Sequence, residues 1–180
     1  MHKLKIVIMT LICALLVTLA AGAIFISSGL LNVSARWEDP AWLKWIIVTT
    51  RERSLDVRKV KVEVPTNLDD HQVALRGFKY YREMCVGCHR SPGLDDSEIA
   101  RGLNPQPPNF AHLKEEDVDP PEYFLIIRNG IRMTAMSAWG VTHADDKIWA
   151  MVAFLKKLPG MTPEQYQALD QEAGHELDEH

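Results

Sequence analysis

The chain has 180 residues, 47% hydrophobic and 24% charged, a globular balance with room for one or two small domains and incompatible with a collagen-like repeat or wholesale disorder. Its 20 basic and 24 acidic side chains give a formal charge of −4, without the basic excess needed to neutralise phosphates, so no nucleic-acid partner is expected. Three cysteines, Cys13, Cys85 and Cys88, are too few and too unevenly placed for a disulfide scaffold.

Residues 1–31 read as a transmembrane anchor. The 21 residues from Ile6 to Ile26 carry no charge and, as a helix, reach roughly 30 Å, the thickness of a bilayer core. A cleaved signal peptide is the competing reading, with Ala21-Gly22-Ala23 as the cleavage site; against it, Ile24-Phe25-Ile26 continues the apolar run beyond that site. Lys3 and Lys5 favour a cytoplasmic N-terminus, although Arg36, Lys44, Arg51 and Arg53 on the far side weaken the count. Cys13, mid-span, reads as an inert small apolar residue.

Residues 32–68 read as a juxtamembrane helix and stalk. Trp37, Trp42 and Trp45 suit the headgroup level, and Pro40 suits a helix start. Trp42, Trp45, Ile46 and Thr49 share a helical face, which predicts a short helix lying on the membrane surface or packing on the following domain. Val60, Val62 and Val64 alternate with charged residues, so Val57 to Val64 is expected to be extended until Pro65 stops it.

Cys85-Val86-Gly87-Cys88-His89 is the strongest chemical signal. Two thiols at this spacing on one helical turn can add to the two vinyl groups of a haem, and the adjacent histidine then presents an imidazole to the iron. A zinc knuckle needs a second ligand pair, and no cysteine follows Cys88. A dithiol redox motif wants a βαβ surround and leaves His89 idle.

Over residues 69–160 the sequence resembles a class I c-type cytochrome, and the resemblance implies an all-α fold around one covalently attached haem c, following the N-terminal membrane helix. Asp69-Asp70 can cap a helix carrying Leu75, Phe78 and Tyr81. Gly77 and Tyr81 stand where the family places a glycine and an aromatic that let its first helix cross its last one closely. Asp145 to Lys157 resembles that last helix, with acids at its start and lysines at its end, as the helix dipole prefers.

The resemblance also implies the rest of the haem site. Low-spin iron takes a second axial ligand, and a methionine thioether favours the reduced ion. Met136 matches the family's ligand position best, with Ser137 where a proline is usual; Met133 is the second candidate, followed by His143, His112 or an open site. His89 and Met136 are thus the expected iron ligands. In the family a proline carbonyl receives the proton of the histidine's other ring nitrogen, and Pro108-Asn109-Phe110 matches that segment, with Phe110 against the macrocycle. Pro120-Pro121-Glu122 opens a helix that Gly130 ends; Arg128 and Arg132 are surface charges, either of which suits a haem propionate.

Residues 161–180 read as a short helix from Pro163 to about Ala173 and an acidic tail of Glu176, Asp178 and Glu179 with His175 and His180. With both axial positions filled and no phosphate loop or nucleophile motif, the expected role is electron transfer and not substrate conversion. The expectation is a single-pass protein of a bacterial inner membrane, its haem domain in the periplasm, exchanging electrons with membrane or periplasmic redox proteins. A fixed subunit of a larger dehydrogenase or oxidase is the alternative, and a haem-based redox or gas sensor a third reading. From Thr66 to Gly160 there are 11 basic and 13 acidic side chains, too balanced to single out a docking face.

Overall fold

Every regular element among the described residues of the computed structural model, residues 2–30 and 32–178, is helical, with side chains described through Gly174. The chain divides into two units, Met1–Glu38 and Asp39–His180.

The first unit contains α1 (His2–Ser27), long and apolar enough to cross a membrane and a candidate transmembrane span. None of its side chains is buried within the protein. Its few hydroxyls turn back onto the helix: Thr10 Oγ1 donates to the Ile6 carbonyl at 3.0 Å, Thr18 to Ala14 at 2.9 Å and Ser27 to Ala23 at 2.8 Å. None of these three hydroxyls is then unpaired.

The second unit opens with α2 (Ala41–Lys59), which starts after Pro40 and ends on Arg58 and Lys59, the charge that the helix dipole favours there. This corrects the first part of the extended stalk expected from Val57 to Val64, since Val57 to Lys59 are helical and Val60 and Lys61 form a turn. The alternation fails as a strand signal because no second strand exists among the described residues to pair with. Val57, Val60 and Val64 are exposed, and only Val62 packs on the core. Lys59 reaches the start of α6 (Pro120–Asn129) instead, with Nζ 2.9 Å from Asp119 just before it and 3.1 Å from Glu122, beside Asp56 at 3.2 Å. The short helix predicted from Pro40 is therefore a 19-residue one. Its tryptophan face does not pack on the domain: Trp42 and Trp45 are 64% and 68% exposed.

The core is built where α3 (His71–Tyr80) crosses α7 (Asp145–Lys157). Asp70 caps α3 by accepting from the backbone N–H groups of Gln72 and Val73, which satisfies two of the amides a helix start leaves free. Val73, Ala74, Leu75, Gly77 and Phe78 are buried on α3, and every residue from Ile148 to Leu155 is buried on α7. α6 (Pro120–Asn129) packs on α7 through Phe124, whose ring stacks on Trp149 with centroids 4.3 Å apart. Prolines at its first two positions and Gly130 at its end, φ +66°, set its limits as expected.

α8 (Pro163–Asp178) is longer than the predicted helix and is part of this core. Ala173 is fully buried, and Tyr166 lies edge-on to Phe78 at 5.0 Å. The Arg82–Asp170 ion pair at 2.5 Å and a His71–Glu172 hydrogen bond at 2.7 Å tie α8 to α3 and its continuation. The side chains expected to form the acidic tail, His175, Glu176, Asp178, Glu179 and His180, lie outside the described residues.

Candidate functional site

α3 continues into one wide turn of π-helix, Tyr81–Cys85, and then α4 (Val86–His89), so both cysteines and the histidine sit on one continuous helical path. Single π turns inserted in α-helices recur at functional sites because they re-aim a side chain without ending the helix. The path stops at Arg90, whose φ of +68° turns the chain away. Three contacts fix this stop. The buried Tyr81 hydroxyl donates to the Arg90 carbonyl at 2.5 Å, the Arg90 guanidinium pairs with Asp96, and Ser97 Oγ donates to the Gly87 carbonyl at 2.5 Å. Ser97 also caps α5 (Glu98–Gly102) by accepting from Ala100 N–H. Sequence reasoning found Tyr81 as a packing residue and missed its hydroxyl; it did not single out Ser97, whose bond to Gly87 spans a loop.

His89 is oriented from two sides. Its Nδ1 lies 3.1 Å from the Pro108 carbonyl, to which it donates, and its ring is stacked on buried Phe110 with centroids 4.6 Å apart and planes at 22°. A proton on Nδ1 leaves the Nε2 lone pair available to a metal, the usual arrangement for a ligating histidine. Burial holds the His89 pKa below the ordinary imidazole range, opposed by the hydrogen bond to Pro108. The expected neighbours Pro108 and Phe110 are thus both brought to His89. Phe110 also meets Tyr81 at 6.4 Å and Tyr123 at 5.9 Å.

The cysteines are unpaired with each other, and burial pushes the Cys85 thiol up to about 12. A dithiol oxidoreductase needs the opposite, a thiol lowered toward neutrality so that thiolate can attack. Among the described residues no three side chains from His, Cys, Asp and Glu converge as a zinc site requires.

The two methionine candidates part company. Met133 is 88% exposed at φ +62°, whereas Met136 is half-buried and packs against the core that Cys85 and Val86 also border. The Met136 loop is closed by its own hydrogen bonds: Ile131 N–H donates to the Met136 carbonyl at 3.1 Å, Met136 N–H to Thr134 Oγ1 at 3.1 Å, and that hydroxyl to the Ile131 carbonyl at 2.8 Å. This ring supplies the stiffness that a proline at Ser137 gives elsewhere. A β-carbon on Gly130 would meet the Met136 carbonyl oxygen at 2.7 Å, so the turn demands glycine for space as well as for φ.

Of the remaining candidates, Arg128 is engaged with Asp145 at 2.7 Å, holding α6 to the start of α7, and Arg132 is exposed. His143 is half-buried between the edges of Tyr80 and Trp139, and His112 is exposed beside Asn109.

Residues 72–155 match a family model described as "Cytochrome C oxidase, cbb3-type, subunit III". The chain carries a c-type cytochrome domain. No curated protein matches it.

A c-type cytochrome domain implies covalently bound haem c, and the donor set fits that group. Two free thiols lie on one helical path, the next residue is an imidazole with Nδ1 already engaged, and a half-buried thioether borders the same core. The cytochrome domain also has reason to hold a large apolar group. Its matched part is 84 residues long, small for a self-sufficient core, and a bound porphyrin adds buried apolar surface.

Proposed function

We propose that this protein is a membrane-tethered, single-haem cytochrome c that carries one electron at a time between redox partners, its haem domain on the periplasmic side of a bacterial inner membrane. Cys85 and Cys88 form the thioether links, and His89 and Met136 are the axial ligands. Bound there, the haem supplies one-electron chemistry between ferric and ferrous iron. Pro108 keeps the His89 proton on Nδ1, Phe110 fixes the ring plane, and the Met136 thioether favours the reduced ion. Tethering through α1 keeps the domain at high local concentration near membrane partners without any new contact.

The observation that carries this reading is the Nδ1–Pro108 bond at 3.1 Å, because it frees Nε2 on the residue next to a pair of free thiols. Mixing reduced protein with carbon monoxide at neutral pH tests the filled sixth position. No rapid binding is expected, and a rapid spectral shift would favour a gas sensor in which methionine leaves the iron.

The alternative, a fixed electron-transfer subunit of a dehydrogenase or oxidase, draws on the oxidase subunit named in the matched family's description. Mild detergent extraction separates the two. A free carrier is recovered alone, whereas a subunit co-purifies with a stoichiometric partner.

A further inference from the structure

We propose that the first two turns of α2 form a second membrane contact, standing in the headgroup layer of an anionic phospholipid bilayer and holding the haem domain there in one fixed orientation. This rests on the reading of the chain as a membrane-tethered cytochrome.

Trp42, Leu43, Trp45, Ile46, Ile47 and Val48 leave Lys44 as the one polar residue in this stretch. Trp42, Trp45, Ile46 and Ile47 are 64%, 68%, 44% and 47% exposed. At about 100° per residue, Trp42 and Ile47 stand on widely separated sides of the helix. A protein groove covers one stripe of a helix, as an in-plane amphipathic helix also requires. Apolar side chains distributed around the axis call for a solvent that surrounds it, and tryptophan is at home at the headgroup level. The apolar end therefore enters the lipid interface end-on, in place of the surface-lying helix expected from the sequence.

Charge and reach agree. From Ala41 to Arg53, the part of α2 nearest the entering end, Lys44, Arg51 and Arg53 stand against Glu52, a local net of +2 in a chain of −4, which suits anionic headgroups. Thirteen residues separate Ser27 from Ala41, and even fully extended they span only about 45 Å, so α2 stays close to any bilayer that α1 crosses.

The far end of the helix makes the contact an orienting one. Val48, Leu55 and Lys59 are half-buried along one line, and Lys59 binds Asp119 and Glu122 of α6, which itself packs on α7. The haem domain is then joined to its membrane-entering end by a rigid helix.

The test uses the full-length holoprotein as the only protein in oriented phosphatidylcholine–phosphatidylglycerol bilayers, reading polarised absorption of the Soret band. A phospholipid with a photoactivatable acyl chain reports contact. Soret dichroism and lipid labelling of the peptide containing residues 42–47 are expected. Both fall severalfold in the triple variant Trp42→Ser, Trp45→Ser, Ile47→Ser, whose changes are at exposed positions, while the Soret spectrum stays the same. An intact Soret band without peptide labelling, labelling unchanged in the triple variant, or dichroism that appears only once other membrane proteins are added would overturn the proposal. Absence of the Soret band itself would count against the cytochrome reading instead.

Discussion

The carbonyl oxygen of Ala150 occupies the space that a β-carbon on Gly77 would need, and the Phe154 β-carbon stands 3.0 Å from the same point. The obstruction is backbone, so α3 and α7 cross at a distance that only glycine permits. Gly77→Ala gains up to about 1 kcal/mol of helix propensity but forces the helices apart. A net loss on the order of 3 kcal/mol is expected in denaturant unfolding, with the helices still formed by circular dichroism. A neutral Gly77→Ala would contradict the close crossing.

Met136 and Met133 give opposite predictions. Met136→Ala abolishes the near-infrared charge-transfer band of thioether-bound ferric iron. Met133→Ala keeps it, because Met133 is 88% exposed. Met133→Gly, at φ +62°, is neutral or stabilising by up to about 1 kcal/mol, since glycine enters that conformation without strain. If the band survives in Met136→Ala and is lost in Met133→Ala, the ligand assignment is reversed.

The Lys156 ammonium donates to Asp69 at 2.5 Å, and this bond, helped by the lysine's charge, holds the Asp69 carboxyl below the usual carboxylate range. A group whose pKa is depressed in the folded state contributes stability above its unfolded value, about 3.9, and loses it as pH falls through the folded one. Asp69→Asn is expected to lower Tm slightly at pH 7, a small effect for so exposed a pair. The gap from wild type closes as pH falls below about 4. A gap that persists in strong acid would show that the carboxylate's charge is not its source.

Tyr166 packs edge-on to Phe78 at 5.0 Å, while its hydroxyl is buried without a partner among the described residues. Burial pushes the phenol up to about 12. Tyr166→Phe therefore keeps the packing and removes an unsatisfied group, and is expected to be neutral or to stabilise by up to about 1 kcal/mol. Tyr166→Ala loses about 2–3 kcal/mol, less than a fully buried ring would. Chemical unfolding of the two variants checks both values, and a destabilising Tyr166→Phe would reveal a role for the hydroxyl.

Elements set by neighbouring residues were legible from the sequence. The last helix of the cytochrome core runs from Asp145 to Lys157 as its acidic start and basic end imply, Asp70 caps α3, and the Pro120 start and Gly130 stop bound α6. The two thiols and His89 fall on one helical path because five successive residues, Cys85 to His89, carry them, whereas the approach of the Pro108 carbonyl to His89, 19 residues away, was expected only from the family resemblance. What stayed hidden depends on partners far along the chain. α2 runs on to Lys59, whose carboxylate partners beside the start of α6 lie some 60 residues away, where an extended stalk was expected from Val57. α8 extends past the predicted end and joins the core because Tyr166 meets Phe78 of α3 and Ala173 is buried. The π turn before the second cysteine has no spacing signature, since Tyr81 to Cys85 suits an ordinary α-helix equally well.

The central claim is a porphyrin bonded to Cys85 and Cys88 above the imidazole of His89. Extraction with acidified acetone after expression in a host competent for cytochrome c maturation tests it most directly. The colour is expected to stay with the precipitated polypeptide, and to be lost from it when both cysteines are changed to alanine. Pigment passing into the organic phase from the wild-type protein, or a colourless wild-type polypeptide, would contradict the account.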